Sequence, residues 1–191
     1  MSLPVDRPTD AALLDRARRG DEQAFAAIVE RYEGRVAATA IGMLGPGADA
    51  EEVGLEAFVR LYRSLDRFRS EASLSTYLTR ITVNLALTEI ERRKRWFDRF
   101  RSIEEAPADA VGVAGKPDDV LDRLGREREL DRVHRALDRL PADQRAVVVL
   151  RWLDGLSTRE TARILGAAEG TVMSRLKRAM DRLRRELDEH D

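Results

Sequence analysis

Two basic clusters in this 191-residue sequence have the residue types and spacing to do chemistry with a phosphate polymer. Near the middle, Arg92, Arg93, Lys94, Arg95, Arg99 and Arg101 are interrupted by a single acid, Asp98. Near the C-terminus, Arg175, Lys177, Arg178, Arg182, Arg184 and Arg185 surround Asp181. From Glu104 to Asp122, directly after the first cluster, Glu104, Glu105, Asp109, Asp118, Asp119 and Asp122 are opposed by Lys116 alone. The net charge of −1, from 34 Lys and Arg against 35 Asp and Glu, therefore hides two cationic segments flanking an anionic one. Attraction to nucleic acid follows that local distribution and not the sum. By itself, a charge run is equally a solvated helix face.

Polar and aromatic groups accompany the first cluster. Arg80, Asn84 and Thr88 recur every four residues ahead of Arg92, one face of a helix. Tyr62, Phe68, Tyr77 and Trp96 lie nearby. Rings interleaved with cations suit single-stranded DNA, because unstacked bases sit on the rings while the cations follow the phosphates. The same rings suit a hydrophobic core, Tyr62 above all.

Enzymatic chemistry has little to work with. The chain has no cysteine, which removes disulfides, thiolate zinc sites and a Cys nucleophile. His134 and His190 are far apart, and there is no glycine-rich phosphate loop or nucleophile motif. No catalytic residue, metal or cofactor is expected. No apolar run approaches the ~18 residues that span a bilayer, and the first ten residues lack a hydrophobic signal core. The sequence reads as a soluble cytoplasmic protein without membrane insertion of its own.

The elements that must position these groups are helices. Charged residues are 36% of the chain and aromatics 5%, which suits solvated amphipathic helices better than β-rich layers. The expected fold is all-α, with two small helical domains over 10–97 and 119–188 and a flexible linker over 98–118. The linker holds the proline- and glycine-bearing stretch Ser102–Pro117. In the first domain, a helix over Asp10–Arg19 stops at Gly20, and Asp21 caps a second. Phe25, Ile28, Val29, Tyr32, Val36, Ala40 and Met43 form the stripe of that second helix. Asp49 with Glu52 reads as a capping box for a third helix, and Ser73 as the cap of a fourth over Leu74–Phe97.

In the second domain, helices are expected over Val120–Leu140, with Leu130, Val133 and Leu137 inward, and over Ala142–Leu153. Val147, Val148, Leu150 and Trp152 of the latter should form a small core. Ser157-Thr158-Arg159-Glu160 is a capping box, Gly166 a helix stop, and Val172, Leu176, Ala179 and Leu183 the buried stripe of a last helix. Two short helices joined by a tight turn, with small Ala162 at their crossing, make a helix-turn-helix. Its second helix exposes Thr171, Met173, Ser174, Arg175, Lys177 and Arg178, and such a helix reads base edges in the major groove.

Together the two halves resemble a sigma-70 family RNA polymerase sigma factor of the extracytoplasmic-function (ECF) group. Three stretches carry the resemblance in family order: DAEEVGLEAF (Asp49–Phe58), LDRFRSEASLSTYLTRITVNLALTEIERRKR (Leu65–Arg95) and LPADQRAVVVLRWLDGLSTRETARILGAAEGTVMSRLKRA (Leu140–Ala179). The resemblance implies a dissociable specificity subunit that binds core RNA polymerase and promoter DNA and has no catalytic residues. Asp49, Glu52, Val53, Glu56, Ala57 and Phe58 would bind core polymerase. Arg80, Asn84, Thr88, Arg92 and Arg93 would contact the −10 element as its strands separate. Thr171, Met173, Ser174, Arg175, Lys177 and Arg178 would read the −35 element as duplex. An anti-sigma factor would control a chain that is otherwise monomeric.

The sequence departs from the family pattern at several positions. Gly54 stands where an aliphatic residue is usual, Leu55 for Gln, Leu74 for an aromatic, Tyr77 for Trp, Thr161 for Ile and Met173 for Lys or Arg. A helix-turn-helix regulator that never enters polymerase is the alternative, but it needs a ligand pocket or receiver domain and usually a dimer. An interaction protein that merely sequesters an inhibitor would not need the basic face over Arg175–Arg185.

Overall fold

The computed structural model describes residues 8–68, 73–100 and 130–188, and among these all regular structure is helical. Most of the predicted linker, and the first half of the predicted Val120–Leu140 helix, lie outside the described residues. The N-terminal half contains α1 (Asp10–Arg18), α2 (Glu22–Leu44), α3 (Ala48–Arg63), a 3-10 turn (Leu65–Arg67) and α4 (Leu74–Phe100). Local side chains close the helix starts. Asp21 accepts from the Ala24 N–H at 3.1 Å, and Ser73 Oγ from the Thr76 N–H at 3.1 Å. Gly45, at φ +77°, ends α2 in backbone that L side chains rarely adopt, with its N–H on the Ile41 carbonyl. Leu13, Ile28, Val36, Leu61 and Leu78 fill the core among these helices.

The expected Asp49 cap does not form. Helix α3 starts two residues earlier, Gly47 holds the cap position without a side-chain bond, and the Asp49 carboxylate pairs with Arg93 of α4. A carboxylate in the first turn still suits the positive end of the helix dipole.

The C-terminal half contains a helix over 130–138 (α5), α6 (Ala142–Val148), α7 (Thr158–Leu165) and α8 (Glu169–Asp188). The predicted Ala142–Leu153 helix is not uniform. It widens after Val148 into a π turn over Val149–Leu153, and the Asp154 N–H reaches back five residues to the Val149 carbonyl at 3.0 Å. Val147, Val149 and Leu150 are fully buried, whereas Trp152, expected in the core, is 66% exposed. Leu130 and Val133, also expected inward, are exposed, and Leu137 is buried. The two halves pack on each other. One buried cluster joins Met43, Ala50, Val53 and Val83 of the first to Ala146, Val149, Leu150 and Ile164 of the second.

Helices α7 and α8 make the helix-turn-helix. Ser157 Oγ accepts from the Glu160 N–H at 3.2 Å, and the Glu160 carboxylate accepts from the Ser157 N–H at 2.8 Å, so the capping box is complete. Gly166 takes the left-handed conformation at φ +59° that the turn requires. Ala162, Val147 and Val172 are buried together where the helices cross. Ser157→Ala is expected to cost about 1 kcal/mol, read as a lower urea midpoint at unchanged slope. The Ser157 hydroxyl, and then its N–H, hold the Glu160 carboxyl below the usual carboxylate range. That contribution is present above the unfolded-state pKa and is lost as pH falls through the lower folded value.

Candidate nucleic-acid interface

Helix α4 presents one polar stripe. Arg80, Asn84, Thr88 and Arg92 are all exposed at four-residue spacing, over about 18 Å at ~1.5 Å per residue. Their opposite face holds Leu78, Val83 and Ala86, buried against the core, so the stripe is fixed in direction. The groups on it are not equally available. The Arg80 guanidinium lies over the Tyr77 ring, 5.4 Å from its centroid. Thr88 Oγ1 donates to the Asn84 carbonyl at 2.9 Å. Arg92 pairs with Glu89 at 2.7 Å, and Arg93 with Asp49 and Glu89, so part of this cationic run is internally neutralised. The Asn84 amide has no hydrogen-bond partner among the described residues and can both donate and accept. Of the surrounding aromatics, Phe68 is buried edge-on against Tyr77, whose hydroxyl meets Ser64 at 2.9 Å. Tyr62 touches Phe25 by its edge yet stays 56% exposed.

On α8, buried Val172 and Ala179 and half-buried Leu176 set the inward direction. Ser174, Lys177 and Arg178 then point away, and all three are exposed. Thr171 is half-buried at one side, and Met173, on the other, lies 3.6 Å by its sulfur from the Thr158 hydroxyl. Arg175 leaves from the flank, half-buried, with Nε on the Asp143 carboxylate of α6 at 3.0 Å.

The residues that sequence placed on α3 for polymerase divide. Glu52 is exposed, Asp49 is half-buried and paired with Arg93, and Glu56 is half-buried and paired with Arg60 at 3.0 Å. Val53, Ala57 and Phe58 are buried in the core, so their side chains are turned away from the exposed edge of α3. That edge carries Leu55, 68% exposed, and Tyr62, neither of which the sequence assigned to polymerase docking. Their three- and four-residue spacing through Val59 was the signal available. A second unforeseen surface is an apolar groove of about 440 Å³ on the C-terminal half, lined by Val133, Leu137, Trp152, Leu153, Leu183 and Leu187 among others. Among the described residues no cluster of His, Cys, Asp or Glu could hold a metal ion, and no helix is long and apolar enough to cross a membrane.

A helical N-terminal domain with an exposed polar stripe, packed on a helix-turn-helix domain with a basic second helix, defines a class of DNA-reading transcription proteins. Sequence comparison is more specific. The family model for Sigma-70 region 2 matches residues 28–96, and that for Sigma-70, region 4 matches residues 130–183. The ECF RNA polymerase sigma-E factor of Escherichia coli K12 is 34% identical over 175 residues, 91% of each chain. The RNA polymerase sigma-H factor of Pseudomonas aeruginosa is 31% identical over 174 residues, 90% of each. The chain belongs to the sigma-70 family, in its ECF group. Among solved structures, CnrH in complex with the cytosolic domain of CnrY matches 95% of this chain and 99% of its own at TM-score 0.67 and 25% identity. The sigma factor RpoE of Bartonella quintana, in complex with the anti-sigma factor NepR, shares the fold at TM-score 0.64 and 24% identity, over 86% of this chain and 96% of its own.

Proposed function

We propose that this cytoplasmic, non-enzymatic subunit docks on core RNA polymerase through the acidic and apolar edge of α3. It then reads the −10 element with α4 and the −35 element with α8. The observation that carries the reading is one chain holding both DNA surfaces on opposite ends of its fold order, a polar helix stripe suited to parted strands and a basic recognition helix suited to duplex. Asn84 is the base-reading group of the first, with Arg80 and Lys94 near the phosphates. Ser174, Lys177 and Arg178 lead the second. An anti-sigma factor is the proposed regulator, supported by the likeness to CnrH, which was solved with a protein partner. Run-off transcription with purified core enzyme on a library of upstream regions tests the whole assignment. A helix-turn-helix regulator would bind its operator without core and start no transcript.

Polymerase docking is tested at Leu55. Its side chain is largely in solvent, so Leu55→Asp is expected to leave helix content and melting unchanged. If Leu55 is buried on core polymerase, the loss of its apolar contact should weaken association about 10- to 100-fold, measured by fluorescence titration. Unchanged affinity would move the docking surface off this edge.

A further inference from the structure

Helix α8 carries one exposed side chain that its polar neighbours do not explain. Of the exposed large apolar side chains among the described residues, only Met173 belongs to this helix, and it is 53% exposed. It lies just past the first turn, between buried Val172 and outward Ser174. The Thr158 hydroxyl of α7 donates to its sulfur at 3.6 Å. This long, unbranched side chain is thus engaged at its thioether while more than half of it stays accessible. Gly170, its neighbour one turn earlier, adds no bulk on that side, and a Cβ there would meet nothing within 4 Å. The base-reading end of α8 is open beside Met173.

The polar groups around it suit other features of a base pair. Ser174 Oγ already donates to the Thr171 carbonyl at 3.0 Å, which leaves its lone pairs for an amino group. Arg178 engages the Ser174 carbonyl with Nε at 3.2 Å and keeps its Nη donors, and Lys177 is a donor only. Both suit guanine O6 and N7 or a phosphate. None of these groups registers a methyl. In the major groove the C5-methyl of thymine is the apolar group on offer, and apolar side chains read it. We propose that Met173 is a specificity residue of α8 that selects thymine in the −35 element by packing against its C5-methyl. The inference rests on the assignment of α8 to that element and adds the chemical feature recognised. Thymine buries its methyl against the thioether, whereas cytosine presents an amino group and no methyl on the same edge.

Uracil in place of thymine removes that methyl and keeps every hydrogen-bonding group of the base pair, so it isolates the contact. Holoenzyme formed from the full chain and core polymerase is assayed by competitive run-off transcription on the promoter it uses best. Each −35 thymine, on either strand, is replaced singly by deoxyuridine. Wild type is expected to favour thymine over uracil about fourfold at one position, the equivalent of burying one methyl-sized group. Met173→Ala should lower the thymine template to the level of the uracil one and so abolish the ratio, while Met173→Leu should retain it. The side chain is largely in solvent, so neither variant is expected to change melting. Equal use of thymine and uracil by wild type at every position, a preferred −35 element without thymine, or an unchanged ratio in Met173→Ala would overturn the proposal. Randomising the whole −35 element separates this result from the assignment beneath it. Output that falls on randomised templates yet ignores uracil removes the methyl contact alone. Output indifferent to randomisation removes α8 from the −35 element, and Met173 with it.

Discussion

Asn84→Ala is expected to cripple promoter opening while leaving core polymerase binding nearly intact. Asn84 is exposed on α4, opposite buried Val83 and Ala86, so removing its amide takes nothing from the core. Alanine is also the best helix former, so α4 itself is unharmed. What is lost is a group able to donate and accept at one base edge, a pairing that suits adenine and discriminates by ~1–3 kcal/mol. Open-complex formation should fall roughly 10- to 100-fold on that basis. Permanganate footprinting of thymines in the melted region measures it, with core affinity as the control. A mutant footprint equal to wild type would remove Asn84 from base reading and leave Arg80 and Thr88 as the candidates.

The second large effect concerns α8, where spacing along the chain and position in the fold lead to different expectations. By sequence, Arg175 sits in the first two turns, close enough to the helix start to reach bases. In the fold its Nε is engaged by Asp143 at 3.0 Å and it leaves the helix from the flank, whereas Ser174 and Arg178 face directly outward. Arg178→Ala is therefore expected to relax or change preference at one or two −35 positions, by ~1–3 kcal/mol if the guanidinium is bidentate to guanine. Arg175→Ala should lower output from all promoters about equally, as loss of a phosphate contact does. Transcription from a randomised upstream element, with each mutant holoenzyme, separates the two. If Arg175→Ala alone changes base preference, Arg175 is the base reader and Asp143 the group that orients it.

The sequence by itself determined the features that a few neighbouring residues decide. The capping box of Ser157 and Glu160, the left-handed Gly166, small Ala162 and buried Val172 lie within one short stretch, and their chemistry is local. The polar stripe of α4 was legible for a similar reason, because exposed groups every four residues alternate with one apolar face. Helix α3 was not legible in this way. It is apolar on more than one side, and periodicity cannot say whether Val53 and Phe58 or Leu55 and Tyr62 face the core. Only packing against α2 and α4 turned the first pair inward. The same holds for Asp49, which forgoes its cap for an arginine 44 residues away, and for Trp152, turned out to solvent where α6 widens. Gly42 is the extreme case. Nothing near it in the chain asks for glycine, and the side chains that exclude a Cβ belong to residues more than 100 positions further on. Helix spans and caps follow from interactions within about four residues. The choice of buried face, and the seam between the domains, follow from contacts that exist only once the chain has folded back on itself.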